Sequence, residues 1–271
     1  MQKKITIISV TLNAKSDLLK TIRSVQNQRY RNFEHIIKDA NSSDGTREIN
    51  FNEFDNTFFY SNEDKGIYDG MNKAFRFAKG DLIMFINAGD LLFDENVLAL
   101  INNNFLKNPL SSCLIGYTVQ INYKKINNFK LLGYGWPYRK LPYVQYPHPS
   151  FVLRNNVANK IHPLFDPNLS IGSDYKQQLI LRNRNLFKPI FLNSVITLMP
   201  LGGKSTESIR AYLKGFFEVF ILSYKIYNLL FVFILFSKIV LIIYKKLHFS
   251  KYPKYINKIV LEKIKIFYEK K

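Results

Sequence analysis

The chain has 271 residues, 47% of them hydrophobic and 22% charged, so it is long enough to bury a full core. Its formal net charge of +19 indicates a polyanionic partner, whether nucleic acid, anionic lipid or a phosphorylated substrate, unless a low-G+C codon bias accounts for the many lysines. The single cysteine, Cys113, excludes an internal disulfide and is compatible with a reducing compartment.

The first part of the chain alternates between apolar runs and amphipathic segments. The apolar runs predict strands at Ile5–Val10, Phe33–Ile37, Thr57–Tyr60 and Leu82–Ile86. Between them, a helix capped by Asp17 is predicted to end near Asn27, and a second follows the stripe from Ile67 to Ala78 with Gly80 as its stop. This alternation predicts βαβ units and an α/β fold with a mostly parallel central sheet flanked by helices.

The middle of the chain has a less regular pattern. It predicts a helix at Glu95–Phe105, strands near Ser112–Tyr123, Phe129–Gly133 and Phe151–Arg154, a structured loop at Tyr134–Pro149 and a helix from Asp174 to about Asn183.

The C-terminal end is basic and apolar. From Lys204 onward, 14 Lys and Arg stand against 4 Asp and Glu, a surplus of 10. The 19 residues Ile226–Tyr244 carry one charge, Lys238, and are near the minimum length for a membrane span. We favour an amphipathic helix in the head-group layer, with a span or re-entrant hairpin and a buried or dimer-forming helix as alternatives. The sequence thus predicts a domain at 1–205 and a helical, membrane-associating extension at 206–271.

Three polar stretches recur at intervals of roughly 25 residues, at Lys38–Thr46, Glu63–Asn72 and Phe85–Asp90. Each lies where a predicted strand or helix meets a turn. Because ligands in open α/β sheets bind beyond the carboxyl ends of the strands, we expect the acidic side chains of these stretches to share one pocket.

The motifs ISVTLN, NSSDGT, DKGIYDGMNKAF, FINAGD, HPSF, SDY and GGKS follow one another in this order. The set resembles family 2 glycosyltransferases of the GT-A fold, similar to enzymes that build bacterial surface polysaccharides, over roughly Lys4–Ser205. The resemblance implies an inverting transfer from a nucleotide-sugar donor to a hydroxyl of a lipid-linked saccharide of lipopolysaccharide, capsule or exopolysaccharide. It also implies a cytoplasmic body, peripheral on the inner face of the bacterial membrane. The apolar run near the N-terminus is too short for a secretory signal, and this agrees with a cytoplasmic location.

The resemblance assigns several residues to the donor. Asp39 matches the carboxylate that accepts the imide N–H of uracil, which favours a UDP-sugar over GDP- and dTDP-sugars, and Thr11 and Asn13 match positions around the base. Asp64 or Asp69 could approach the ribose or sugar, with Asp69 the preferred candidate, and GGKS resembles a loop that closes over the phosphates, with Lys204 as an anion ligand. Each also has a structural interpretation: a turn cap for Asp39, a strand-ending turn for Thr11 and Asn13, a helix N-terminus for Asp69 and a linker for Lys204.

FINAGD departs from the Asp-x-Asp of most relatives, because Gly89 stands where the second carboxylate is usual. Asp90 is then the remaining carboxylate for Mg²⁺ or Mn²⁺, and Asn87 offers the donor hydrogen bonds without charge. A divalent cation is still expected, since a departing diphosphate carries several negative charges.

The acceptor side is assigned in the same way. Asp174 matches the general base that removes the proton of the acceptor hydroxyl, although it also suits a helix cap. Ser173 replaces the preceding Glu of the family, so we expect the pKa of Asp174 to be less raised. His148 and Trp136 are candidates for acceptor contact. Alternatively, His148 fills a rigid loop and Trp136 dips toward lipid.

Two other classes of protein compete with this interpretation of the sequence. A nucleic-acid-binding protein is disfavoured because no motif for it is present and the basic residues lie beside apolar ones. A non-catalytic GT-A scaffold at the membrane remains the alternative because of Gly89.

Overall fold

The computed structural model describes residues 1–121, 129–132, 144–201 and 209–227. In this part of the chain, nine strands form one sheet: β1 (Ile5–Thr11), β2 (Phe33–Asp39), β3 (Thr57–Ser61), β4 (Leu82–Phe85), β5 (Leu91–Leu92), β6 (Cys113–Ile121), β7 (Phe129–Leu132), β8 (Phe151–Arg154) and β9 (Pro189–Pro200). The helices are α1 (Lys15–Gln26), α2 (Ile67–Phe75), α3 (Val97–Lys107), α4 (Asn155–Ala158), α5 (Ser173–Asn183) and α6 (Ile209–Tyr227).

The sheet has the order β3-β2-β1-β4-β8-β6-β9-β5, with β7 on β6. The four strands β3, β2, β1 and β4 are parallel, as predicted. Beyond them the sheet is mixed, which corrects the prediction of a mostly parallel sheet: β6 and β9 are parallel, but β8 is antiparallel to both β4 and β6, and β5 is antiparallel to β9. The reason is partly connection length. Only seven residues separate β6 from β7, too few for the crossover that a parallel pair requires, and these strands pair antiparallel.

Apolar side chains from the two faces of the sheet form separate clusters. On one face, Ile5 and Ile7 of β1 pack with α3. On the other, Ile8 and Val10 pack with α2 and with residues around α4 and α5. Because successive side chains of a strand point to opposite faces, the continuous apolar run of β1 is explained by burial on both sides.

Two predicted helix ends differ from the structure. Asp17 does not cap α1, which begins at Lys15. The Lys15 N–H is instead satisfied by Asp44 from the neighbouring loop, at 2.8 Å. The second helix, α2, ends at Phe75 and not near Gly80. Gly80 is needed for a different reason: a Cβ there would lie 2.7 Å from the backbone nitrogen of Thr6.

The 12-residue strand β9 was not predicted. Its register with β6 runs from Cys113 opposite Pro189 to Ile121 opposite Pro200, with irregularities near Tyr117. This pairing joins segments about 80 residues apart, and such long-range pairing leaves little trace in local periodicity.

Only the first part of the predicted extension, α6, is described, and it packs against α5. Most of the apolar segment 226–244 lies outside the described residues. Among the residues that are described, no helix has the length and apolarity needed to cross a bilayer.

Candidate functional site

The carboxyl ends of three adjacent strands bring Thr11, Asp39 and Ser61 into register. The Asp39 carboxylate is fully buried and accepts hydrogen bonds from the Ser42 N–H (2.9 Å), the Ser42 hydroxyl and the Ser61 hydroxyl (2.7 Å). Asp39 therefore holds the turn after β2. A carboxylate has about four acceptor positions, so this set leaves it able to accept one further N–H.

The loops that follow β1 and β2 are linked to each other. Asn13, in the left-handed region at φ +50°, accepts from the Ser43 N–H at 2.8 Å, and its own N–H donates to the Ser42 hydroxyl at 2.8 Å. Asp44 accepts from the Lys15 and Thr46 N–H groups and so holds the turn after β2 to the start of α1. Beside these loops, the buried Thr11 Oγ1 has no hydrogen-bond partner among the described residues.

A network of four charges lies at the start of α2. The side chain of Lys38 is 1% exposed, and its Nζ lies 3.0 Å from the Asp64 carboxylate and 2.6 Å from the carbonyl oxygens of Asp39 and Asn62. Lys73 lies 3.3 Å from Asp64 and 2.8 Å from Asp69. The predicted donor ligand Asp69 is thus already paired. Burial would raise its pKa, but the Lys65 N–H and Lys73 outweigh this and lower it.

Sequence reasoning missed Lys38. Its position directly before Asp39, at the end of a buried strand, was a signal that this lysine must find a partner.

The turn after β4 carries the candidate metal residues. Its backbone is held to β1 by the Ala88 N–H, which donates to the Val10 carbonyl, and to α1 by the Gly89 N–H, which donates to the Thr21 hydroxyl at 2.9 Å. Asp90 is 7% exposed, and burial raises its pKa to about 7 although the Asn87 N–H acts in the opposite direction. The buried Asn87 Oδ1 has no hydrogen-bond partner within the described ranges.

These two side chains fit a divalent cation. Across the part of the chain that the structure describes, no three His, Cys, Asp or Glu side chains are grouped closely enough to hold a metal ion. Asp90 and the unpartnered amide oxygen of Asn87 instead place two oxygen ligands in one turn. Mg²⁺ is commonly bound in this way, with one or two protein ligands and the remaining positions filled by substrate phosphates and water.

Asp174 lies in the first turn of α5 and does not cap it, because the N-cap residue is Gly172. Its carboxylate accepts from the Tyr175 N–H (2.8 Å) and from Gln145 Nε2 (3.3 Å). The residue as a whole is partly exposed, whereas the carboxylate is desolvated, and this desolvation raises its pKa to about 6. The hydroxyl of Ser173 accepts the Asp166 N–H at 2.6 Å.

His148 lies beside aromatic rings. Its ring centroid is 5.3 Å from that of Phe85 and 5.5 Å from that of Phe165. Desolvation lowers its pKa to about 4, so the ring is neutral at pH 7. Its Nε2 is buried and has no partner among residues 1–121, 129–132, 144–201 and 209–227. The other predicted acceptor residue, Trp136, and the predicted phosphate ligand, Lys204, lie outside the described residues.

The donor and acceptor residues are connected through α2. Tyr68, on α2, donates from its hydroxyl to the Ile171 carbonyl at 2.5 Å, three residues before Asp174. Burial is the main reason that the pKa of Tyr68 is raised, and the charge of Asp174 adds to it. Two residues that sequence reasoning missed, Gln145 and Glu218, approach the Asp174 turn from distant parts of the chain. Neither belongs to a motif, so no local signal marked them.

Residues 6–165, more than half of the chain, match the family model described as glycosyl transferase family 2. The chain belongs to glycosyl transferase family 2. This confirms the family predicted from the ordered motifs.

Curated relatives match over part of their length. An uncharacterised glycosyltransferase of Mycobacterium tuberculosis is 33% identical over 97 residues, which cover 35% of this chain and 37% of the relative. The Escherichia coli UDP-Glc:alpha-D-GlcNAc-diphosphoundecaprenol beta-1,3-glucosyltransferase WfgD is 30% identical over 131 residues, 48% of this chain and 49% of the relative. The chain thus spans half or less of these family 2 relatives.

Solved structures of lower identity have a similar fold. S. aureus TarS 1-349 in complex with UDP-GlcNAc superposes with a TM-score of 0.63 at 16% identity, covering 83% of this chain and 67% of TarS. The Pyrobaculum calidifontis mannosyltransferase PcManGT, in complex with GDP-Man and Mn²⁺, gives 0.58 at 13% identity, covering 100% and 89%. This likeness shows the fold alone, a mixed α/β sheet of the Rossmann-like GT-A kind.

Proposed function

We propose that this family 2 member is an inverting glycosyltransferase that moves a sugar from a UDP-sugar to a hydroxyl of a lipid-linked saccharide in cell-surface polysaccharide synthesis. Two features together carry the proposal. Polar residues follow or end adjacent parallel strands at Thr11, Asp39 and Asn87, and a desolvated carboxylate, Asp174, lies on a different element, α5. The printed name of the E. coli relative, which specifies UDP-Glc and a diphosphoundecaprenol-linked sugar, supports this donor and acceptor class.

The donor binds over the ends of β1, β2 and β4. Asp39 accepts the imide N–H of uracil with its remaining acceptor position, and the Thr11 hydroxyl and Asn13 contact the base. Asp69, next to Lys73, borders the ribose or the sugar. Lys204 neutralises the phosphates from the segment that follows β9.

A divalent cation bound by Asp90, with the Asn87 amide oxygen, would neutralise the diphosphate as it leaves. Asn87 also holds the donor through hydrogen bonds. The backbone of this turn is held by β1 and α1, so it need not reorganise when the donor binds.

Asp174 performs the proton transfer. The acceptor hydroxyl oxygen forms a bond to the anomeric carbon from the side opposite the diphosphate, and its proton passes to the Asp174 carboxylate. The bond from the anomeric carbon to the diphosphate oxygen breaks, and its electron pair leaves with UDP. One displacement inverts the anomeric configuration. With a pKa of about 6, Asp174 is ionised at pH 7 yet more basic than an ordinary aspartate.

The acceptor sugar lies near His148 and Trp136. The neutral imidazole of His148 has a free Nε2 that can donate to or accept from a sugar hydroxyl, depending on its tautomer. Trp136 offers an aromatic face for stacking on the sugar.

A second proposal concerns location, with the body in the cytoplasm on the inner face of the membrane. Five large hydrophobic side chains are exposed along α6: Leu213, Phe216, Phe217, Ile221 and Tyr224. Lys214 and Lys225 are exposed on the same helix, and the segment to residue 271 continues the apolar and basic composition. This pattern favours an extension at 206–271 that lies in the head-group layer of an anionic membrane.

The test of the enzyme is a panel of sugar nucleotides incubated with the purified full chain, with Mg²⁺, with Mn²⁺ or with a chelator. We expect release of UDP from one UDP-sugar, faster with an added saccharide diphospholipid and lost on chelation. The Asp174→Asn variant should bind that donor with unchanged affinity and release little UDP. Binding of a sugar nucleotide without turnover by the unmodified chain, over the whole panel, would instead support the non-catalytic scaffold.

A further inference from the structure

The helix α6 contacts the body at the turn that carries the proposed base. Gly215 lies against Ile171 so closely that a Cβ on Gly215 would be 2.9 Å from Ile171 Cγ2. Eight residues further along, the Ser223 hydroxyl lies 3.0 Å from the Tyr175 hydroxyl, and Ser223 is buried. These contacts fix α6 on both sides of Glu218.

Glu218 is bonded to three consecutive backbone N–H groups of that turn. Its carboxylate accepts from Ser170 at 3.0 Å, Ile171 at 2.9 Å and Gly172 at 2.7 Å. Gly172 is the N-cap of α5 and has no side chain with which to cap the helix. A carboxylate from a distant helix thus satisfies free N–H groups at the start of α5, where the helix dipole also favours negative charge.

The same turn is held from the opposite direction by α2. The Tyr68 hydroxyl donates to the Ile171 carbonyl, while Glu218 accepts from the Ile171 N–H. The peptide groups on either side of Ile171 are therefore both fixed, and Asp174 follows three residues later. The negative charge of Glu218 adds to the raised pKa of Asp174, and the negative charge of Asp174 adds to the raised pKa of Tyr68.

We propose that Glu218 is a positioning residue for the transfer reaction: by holding the Ser170–Gly172 backbone from α6, it sets the place and the charge environment of Asp174. The proposal rests on the proposed role of Asp174 as the base. It makes α6 a part of the active site, although α6 lies in the extension and outside the residues that match the family.

The kinetic test compares Glu218→Gln and Glu218→Ala with Ser223→Ala, which removes a different contact of the same helix. In both Glu218 variants kcat should fall about tenfold to a hundredfold, the cost of a misplaced catalytic group, with the donor KM unchanged. The acidic limb of the pH profile should move to lower pH, because loss of a negative charge favours ionised Asp174. Ser223→Ala should keep the limb in place and lose less than threefold in kcat. Equal losses in all three variants with an unmoved limb would reduce Glu218 to an ordinary packing contact and overturn the proposal.

An independent test does not need turnover. Amide hydrogen exchange of residues 170–174 in the full chain should be faster in Glu218→Ala than in the unmodified protein, and unchanged in Ser223→Ala. If exchange is faster in Glu218→Ala but the unmodified chain turns over no sugar nucleotide, the contact is established and the proposed function is defeated. Unchanged exchange together with an unchanged kcat in Glu218→Ala defeats the positioning role alone.

Discussion

Desolvation of the Asp174 carboxylate has opposite effects on chemistry and on stability. Its pKa is raised from 3.8 to about 6, mainly by burial, with Gln145 and the Tyr175 N–H acting in the opposite direction. A raised pKa makes the carboxylate a better base at neutral pH. It also means that the folded state holds a proton more tightly than the unfolded state does, so ionisation above pH 6 destabilises the fold.

We therefore predict that Asp174→Asn separates the two effects. Transfer should fall by at least about a hundredfold, because an amide takes up no proton. The melting temperature at pH 8 should rise, with a gain of roughly 1–2 kcal/mol after allowance for partial exposure. At pH 4 both proteins carry a neutral side chain, and the difference should vanish. Asp55→Asn, at an exposed ion pair, is the matched control and should change neither quantity appreciably. A lower melting temperature for Asp174→Asn at pH 8 would contradict the assigned burial cost.

The same pKa predicts the pH dependence of the unmodified enzyme. Because the ionised carboxylate is the active form, and a saturating cation would hold Asp90 ionised despite its pKa of about 7, kcat/KM should be level above pH 7 and fall tenfold per unit below about pH 6. His148, with a pKa lowered to about 4, is neutral throughout this range and should contribute no limb. Initial rates at saturating cation and subsaturating donor measure the profile. A level profile down to pH 5 is incompatible with Asp174 as the base.

The buried ion pair between Lys38 and Asp64 predicts a stability effect. Among the described residues, Lys38→Met leaves Lys73 as the one cationic partner of the Asp64 carboxylate, and breaking a buried pair on one side costs about 3–5 kcal/mol. With Lys73 still present, we expect roughly 2–4 kcal/mol by urea unfolding. The double variant Lys38→Met with Asp64→Asn should recover part of the loss. No recovery would show that the packing of the lysine stem, and not charge, stabilises this turn.

At the scale of elements, the sequence predicts what is encoded locally. The strands β1, β2, β3 and β4 were predicted to within two residues because each is an apolar run between polar turns. The strand β9 was missed because its pairing with β6 decides it, and that partner is about 80 residues away. Likewise, the candidate residues at strand ends were found from motifs, whereas Glu218 reaches its turn from 46 residues away along the chain.

The close approach of Gly80 to β1 predicts that this position tolerates no side chain. In Gly80→Ala the Cβ would lie 2.7 Å from the Thr6 nitrogen and 2.8 Å from the Lys4 carbonyl, and backbone atoms of a buried strand cannot move aside cheaply. We expect a loss of roughly 2–3 kcal/mol in the free energy of unfolding. Lys107→Ala, at an exposed position of α3, should stay within about 0.5 kcal/mol. Equal stability of the two variants would show that the backbone at the start of β1 can move to accommodate a side chain.

At the scale of the whole molecule, charge and apolar surface are concentrated in the same region. From Lys204 onward the chain carries a surplus of 10 positive charges, about half of its total of +19, beside the exposed apolar face of α6. A phosphate-tracking groove for nucleic acid would show charge without this apolar surface.

We predict that the full chain sediments with vesicles that contain anionic lipid and not with purely zwitterionic vesicles at matched salt. Binding should weaken from 50 mM to 500 mM NaCl, because salt screens the attraction between lysines and the lipid surface. Retention on DNA cellulose at the same salt should be lower than retention on the anionic vesicles. Equal binding to both vesicle types would show that apolar insertion alone drives association, and no binding to either would refute the membrane proposal.

The single thiol of the chain offers a way to follow these variants. Cys113 lies in β6 with none of its surface exposed, and burial raises the pKa of its thiol to about 12. Since the thiolate is the reactive form, a folded molecule should be inert to a disulfide reagent at neutral pH, and no other cysteine competes. A molecule can therefore be labelled only after an opening that exposes β6. The rate of thiol labelling would report how often β6 opens in the unaltered protein. The measurement needs no added dye or tag and can be made in the presence of lipid.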